Sequence, residues 1–338
     1  MKNLKLKIIK LISYIIAKYY LRDARRSEWI FERYQDLPTI FAGALNQLCY
    51  IIRIPYVYRL TSITIEISNR CNLRCIMCAH NKGMKRMPKD MEFNLLEKII
   101  TQTHTYIKTI CFSGVGEPFM NPNIFRMIEH IKKNDKKVVI YTNGTLLDEE
   151  KMLRLLKLKV DILIFSVDGT KDSYEIIRGW SYEDIKKKIL KFIELRNKFK
   201  KNTKIKIATV IFEKNERELK NFDNYWRNVV DGIKYRPRIL ECEKEKEKRP
   251  RKICREPWYG NFFIGSNGEV VCCCGDCNGE LALGNILEQE LKDIWRGERL
   301  RDLRRRHLKG NFPDRCKICY EYQSLLYKPQ FRGLSYNL

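Results

Sequence analysis

The stretch CNLRCIMCAH, residues 71–80, places Cys71, Cys75 and Cys78 at spacings of four and three residues. Thiolates so grouped are metal ligands. Structural zinc takes four protein ligands, which His80 can complete; a four-iron cluster held by three thiolates leaves one iron open to a substrate or cofactor. A second set follows, with seven of the chain's thirteen cysteines lying between Cys254 and Cys319. The odd total and the clustering speak against a disulfide framework and for metal or cluster ligation in a reducing compartment, so a cytoplasmic location is expected. Cys49, Cys111 and Cys242 read as incidental or core thiols.

The elements that must hold these residues follow from the pattern of apolar residues. From residue 61 onward, β-branched runs at 62–68, 107–114, 137–144, 161–169, 204–212 and 232–240 alternate with amphipathic segments such as 94–107 and 181–200. Six strand–helix units predict an α/β fold with a parallel sheet, whose function collects at the carboxyl ends of the strands. The run ECEKEKEKRPRK (241–252) is nearly all charge and reads as a linker, ending at 253, to a second domain over 254–322. Residues 323–338 read as a tail.

With its strand context, Cys71-x-x-x-Cys75-x-x-Cys78 resembles the signature of the radical SAM enzymes. The resemblance implies a partial (βα)6 TIM-like barrel over 61–240 whose 4Fe-4S cluster is held by Cys71, Cys75 and Cys78. Its open iron would chelate S-adenosyl-L-methionine, which reductive cleavage turns into a 5′-deoxyadenosyl radical. SGVGEP (113–118), after the second strand, resembles the family's Gly-rich motif facing the methionine amino group, which assigns Gly114, Gly116 and Glu117 to the cofactor. YTNG and SVDG, after the third and fourth strands, likewise assign Asn143, Ser166 and Asp168. Met77 stands where the family often has an aromatic residue, and is expected to pack on the adenine.

The segment from Cys254 through GSNGEV to RCKICY resembles the SPASM or twitch domains. It implies one auxiliary 4Fe-4S cluster on Cys254, Cys273, Cys316 and Cys319, with Cys272, Cys274 and Cys277 as nearby substitutes. A zinc ribbon is the alternative use of such Cys-x-x-Cys pairs. The family also implies a low-potential electron donor such as a flavodoxin or ferredoxin.

The substrate is not written in the motifs. Sixty-six basic residues against forty-one acidic ones give a net charge of +25, which favours an anionic substrate, nucleic acid or an anionic membrane surface, or simply solvated basic faces. No regular array of stacking aromatics accompanies the charge, so nucleic acid is not expected. Arg178, Trp180, Lys82 and Arg86 are candidates for binding an anionic group, against solvated surface; His104, His130 and His307 read as structural. At the N-terminus, Leu4, Ile8, Leu11, Ile12, Ile15 and Tyr19 share one helical face among lysines. Residues 1–60 therefore read as a basic amphipathic helical region that packs on the protein or makes peripheral membrane contact. Lys10 interrupts the apolar run and no small-residue cleavage site follows, so export is not expected.

Three readings stand at this point. The first is a radical enzyme that oxidises or rearranges a small sugar-like or lipid-linked molecule with help from the auxiliary cluster. The second is a maturase that crosslinks a peptide. The third is a non-catalytic iron–sulfur or zinc protein that binds a membrane or nucleic acid.

Overall fold

The computed structural model describes residues 37–103, 107–211, 213–237, 240–241 and 253–320. Strands β1 (Ser62–Ile65), β2 (Thr109–Phe112), β3 (Lys137–Thr142), β4 (Ile162–Ser166), β5 (Lys204–Ile211) and β6 (Gly232–Pro237) pair in parallel in chain order. Helices fill the crossovers, among them Phe93–Gln102, Ile124–Lys133, Glu149–Lys157, Lys171–Arg178, Tyr182–Lys198 and Leu219–Trp226. The expected six strands are all present within a few residues of their sequence limits, because each run is rich in β-branched residues and ends in a polar turn.

Alternation along the strands separates two faces. Ile63, Ile65, Ile110, Phe112, Ile140, Leu163, Phe165, Ile207 and Tyr235 join the large core beneath the helices. The opposite positions form a smaller patch of Val139, Ile162, Ile164 and Ala208, with Cys111 and Tyr141 half-buried beside it. Helix starts are fixed locally: the Asp148 carboxylate accepts from Lys151 N at 2.8 Å, and Ser181 Oγ accepts from Asp184 N at 3.3 Å.

The barrel does not close. Instead β8 (Asn261–Ile264) pairs in parallel with β1, and β9 (Glu269–Val271) and β10 (Gly284–Asn285) extend the sheet antiparallel from there. A parallel edge left bare would expose a row of unpaired amides, and the C-terminal segment covers it. The segment read as a separate domain is therefore continuous with the barrel sheet. A further two-residue strand, β7 (Leu240–Glu241), pairs antiparallel with β11 (Cys319–Tyr320).

The helix Leu37–Ile51 braces this junction. Its buried Asn46 accepts from Tyr58 N at 2.7 Å and donates to Arg59 O at 2.6 Å, while Tyr50 Oη donates to Ile253 O and Trp258 Nε1 to Ile54 O. The expected amphipathic helix of residues 4–19, most of the linker and the tail lie outside the described residues. Among the described residues no helix is long and apolar enough to cross a membrane.

Candidate active site

The loop between β1 and the short helix Ala79–Lys82 carries Cys71, Cys75 and Cys78 at the carboxyl end of the sheet. Three neighbouring loops hold it. After β2, Gly116 lies against its backbone: a Cβ there would fall 2.6 Å from Arg70 O and closer still to Ser68 O. Only glycine permits that approach, and it lets Glu117 N donate to Arg70 O at 2.8 Å. After β3, Asn143 Nδ2 lies 3.8 Å from Cys71 Sγ and donates to Asn72 Oδ1 at 3.0 Å. After β4, the helix Lys171–Arg178 presents Ile177 O to Ile76 N at 3.0 Å, and Arg178 Nη1 lies 3.8 Å from Cys75 Sγ.

The sequence candidates whose side chains are described have definite places. Gly114 packs against Glu66, whose Cγ would be 2.5 Å from an added Cβ. Asp168 is fully buried and pairs with Arg178 through Nε at 2.7 Å and Nη2 at 2.6 Å, while its other oxygen accepts from Val210 N. Ser166 ends β4, half-buried, and Met77 is half-buried beside Cys78. Arg178 and Arg86, considered above as anion binders or surface, both lie in buried ion pairs. Trp180 is 37% exposed and donates to Asp184; the Lys82 side chain and His104 are outside the described residues. His307 is buried against Phe312 and His130 packs on Phe93.

Glu117 is nearly inaccessible, and its two oxygens accept from Thr142 Oγ1 at 2.7 Å, Asn143 N at 2.7 Å and Phe119 N at 3.2 Å. The carboxylate thus clamps the loop after β2 to the loop after β3. Burial pushes its pKa up to about 7, with the hydrogen bonds opposing. A folded-state pKa above the unfolded one means the native state holds the extra proton, so stability from this group is present at low pH and is lost as pH rises through about 7. The full component is about 3 kcal/mol, of which roughly half falls between pH 5.5 and 7.5. Urea titrations at pH 5.5 and 7.5 are expected to show it in the parent and not in Glu117→Gln; an equal pH difference in both proteins would refute the assignment.

Sequence reading did not single out Glu66. It sits at an inner position at the end of β1, fully buried, and accepts from Arg86 Nη1 at 2.5 Å, Arg86 Nη2 at 3.0 Å and Val115 N at 2.9 Å. Arg86 Nε donates onward to Cys277 O at 2.5 Å. One ion pair thereby links the loop after β2 to the C-terminal cysteine segment. The available signal was a lone acid inside the apolar run SITIEIS.

Near the second cysteine set, Cys272 is buried where Cys273, Cys254 and Cys316 all raise its thiol pKa, after the hydrogen bond to Cys273 and burial. Arg315 donates to Gly275 O at 2.9 Å, tying the segment around Cys316 to the one after β9. Cys319 begins β11 opposite Glu241.

No three His, Cys, Asp or Glu side chains among the described residues surround a single point as one metal ion requires. Thiolates of a four-iron cluster bind separate corners and need only face a shared space. The donors fit that demand: Cys75 and Cys78 both raise the Cys71 thiol, which burial chiefly pushes up to about 11, and neutral or cationic N–H groups of Asn143 and Arg178 stand beside the sulfurs.

The family model described as the radical SAM superfamily matches residues 65–225, and one described as an iron–sulfur cluster-binding domain, SPASM, matches residues 254–320. A solved structure of SuiB from Streptococcus suis superposes with a TM-score of 0.61 at 16% identity, covering 91% of this chain and 85% of that one, which shows the fold. The S-adenosyl-L-methionine-dependent 2-deoxy-scyllo-inosamine dehydrogenase of Niallia circulans is 23% identical over 267 residues, 76% of this chain and 91% of its own length. A Pyrococcus furiosus protein described as a tungsten-containing aldehyde ferredoxin oxidoreductase cofactor-modifying protein is 31% identical over 290 residues, 70% of this chain and 80% of its own. On the strength of that shared length and of the loops that converge on Cys71, Cys75 and Cys78, the chain belongs to the radical SAM superfamily and carries a C-terminal SPASM iron–sulfur domain.

Proposed function

We propose that the protein oxidises or rearranges a small, polar, sugar-like or cofactor-like molecule. When bound, the cluster and S-adenosyl-L-methionine at the first site supply a 5′-deoxyadenosyl radical, and a cluster at the second site supplies an electron acceptor. The observation that carries the reading is the convergence of the loops after β2, β3 and β4 on Cys71, Cys75 and Cys78. The relatives from Niallia circulans and Pyrococcus furiosus, named for a cyclitol amine and a metal cofactor, support a small-molecule substrate.

In this reading Cys71, Cys75 and Cys78 hold the first cluster. Gly114 and Gly116 bring backbone close to the methionine end of the cofactor, Asn143 and Ser166 contribute polar groups, and Met77 packs on its adenine. Glu117 and Asp168 act by position: one clamps two loops together, and the other holds Arg178 beside Cys75. The buried Glu66–Arg86 pair ties the loop after β2 to the second cysteine segment. The reductant is a low-potential carrier such as a flavodoxin or ferredoxin, and the location is cytoplasmic. Residues 2–26, within the basic amphipathic N-terminal region, are the segment for any peripheral membrane contact.

Cys254, Cys273, Cys316 and Cys319 hold the second cluster. Cys272 is buried in the main core and Cys273 packs half-buried against the same core. Cys273→Ser is expected to lower iron by about four per chain and Cys272→Ser to leave it unchanged; the reverse pattern in metal analysis would exchange their roles.

The test is anaerobic incubation of the reconstituted enzyme with a reductant, S-adenosyl-L-methionine and a panel of sugar alcohols, cyclitols and their phosphates. A productive substrate is expected to yield an oxidised or isomeric product in proportion to 5′-deoxyadenosine. Formation of product only from a peptide would overturn the proposal.

A further inference from the structure

The inner face of the barrel carries a feature that the cluster loops do not use. Tyr141 of β3 and Lys234 and Arg236 of β6 occupy inner positions, opposite the helix-packed residues Ile140 and Tyr235. Arg236 Nη2 lies 3.4 Å from Tyr141 Oη, and Lys234 Nζ lies 5.8 Å from the centre of its ring. A flat sheet would hold β3 and β6 about 14 Å apart, since two strands intervene. Their contact shows that the sheet curls here, with the small, buried Ala208 on β5 level with the buried Lys234.

The concavity reaches solvent. Thr64, Cys111, Tyr141, Ser166 and Val210 along its wall are half-buried, and Arg236 is exposed. Tyr141 lies two residues before Asn143, on the same face, hence one pleat below the side chain that touches Cys71. Arg236 is also near enough to the second cysteine set to pull the Cys274 thiol downward, against the stronger effect of burial. The feature therefore lies between the two cysteine sets.

Its electrostatics favour an anion. Burial alone would push the Tyr141 phenol up, yet Lys234 and Arg236 more than offset it and hold it below the ordinary range. A field that favours a phenolate also favours a ligand oxyanion.

We propose that Tyr141, Lys234 and Arg236 form the seat for a phosphoryl group of the substrate. An arginine fork and a lysine together match a phosphate dianion better than a single carboxylate, and the phenol donates the remaining hydrogen bond. A molecule so anchored places the carbons next to its phosphate one pleat nearer Cys71. The seat deepens the function proposed above and rests on it.

Calorimetric titration of the reconstituted full chain with S-adenosyl-L-methionine present, using inorganic pyrophosphate as probe and acetate as the carboxylate arm, tests the seat. Pyrophosphate is expected to bind saturably and acetate not at all. Arg236→Gln and Lys234→Gln should each weaken pyrophosphate about tenfold, the loss of one charge-assisted hydrogen bond. Tyr141→Phe, which removes one oxygen and keeps the ring, should weaken it several-fold and keeps the test decisive if a charge variant fails to fold. Absent or non-saturable binding to a parent whose cluster EPR signal responds to S-adenosyl-L-methionine would overturn the seat alone, as would unchanged affinity in the folded variants or equal binding of acetate. A parent whose signal does not respond would overturn the proposed function together with the seat.

Discussion

Cys75→Ala is expected to bring 5′-deoxyadenosine formation to background while leaving the chain folded. Cys75 is the most buried of the three loop thiols, at 6% exposed, and it receives Arg178 Nη1. Deleting its sulfur removes one corner of the cluster but only one heavy atom from the packing, so the stability change should be about 1 kcal/mol. With clusters at both sites the parent holds about eight irons per chain, and a variant that loses the first site holds about four. The measurement is iron, sulfide and zinc analysis of anaerobically purified protein alongside EPR with and without S-adenosyl-L-methionine, for this variant and the triple cysteine variant. Undiminished 5′-deoxyadenosine would remove Cys71, Cys75 and Cys78 from the chemistry. Iron near four with zinc in the parent would make the C-terminal cysteines a zinc site, and zinc alone would leave a non-catalytic binding protein.

The second large effect is expected from a single methyl group. In Gly116→Ala the new Cβ meets backbone atoms, Ser68 O, Arg70 O and Asn69 C, rather than the mobile end of a side chain. Relief must come from residues 68–70, immediately before Cys71, or from the loop that carries Glu117. A shift of about an ångström in a group that positions a reacting centre costs on the order of a hundredfold in rate. Cleavage of S-adenosyl-L-methionine should fall by that factor while iron content is largely retained, since the thiols themselves are unchanged. Gly179→Ala is the control: nothing lies within 4 Å of its added Cβ, and its left-handed φ of 65° costs only about 1 kcal/mol. Equal rates in the parent and Gly116→Ala would show that the loop contact does not govern the site.

Much of this site was legible before any coordinates. Cys71, Cys75 and Cys78 declare themselves because thiolate ligation needs a fixed residue type at short spacing, and the strand-end turns GVGEP, TNG and VDG declare themselves because glycine marks close approach or positive φ. The strands were legible because burial on both faces of a parallel sheet demands unbroken β-branched runs. Arg178 was not, since YEIIRGW reads equally well as a solvated helix end. Only the docking of its helix end on the cysteine loop, where Ile177 O accepts from Ile76 N, brings it to Asp168 and Cys75. Glu66 and Arg86, twenty residues apart, look like ordinary charges until the fold buries both.

The function assigned to Glu117 shows the same division. Its sequence context suggests a carboxylate turned toward a ligand ammonium, whereas three internal donors claim its oxygens once Thr142 and Asn143 are brought alongside. The choice among Cys272, Cys273, Cys274 and Cys277 likewise cannot be made by spacing alone.

By itself, then, the sequence determined the class of chemistry and the order of the strands, because both are carried by residue types and short-range periodicity. The curl that brings Tyr141 to Lys234 and Arg236, the joining of β8 to β1 and the ion pair that links the loop after β2 to the second cysteine segment were decided by the tertiary structure. Each depends on residues far apart in the chain whose proximity follows from how the whole sheet bends, and no local pattern encodes that bend.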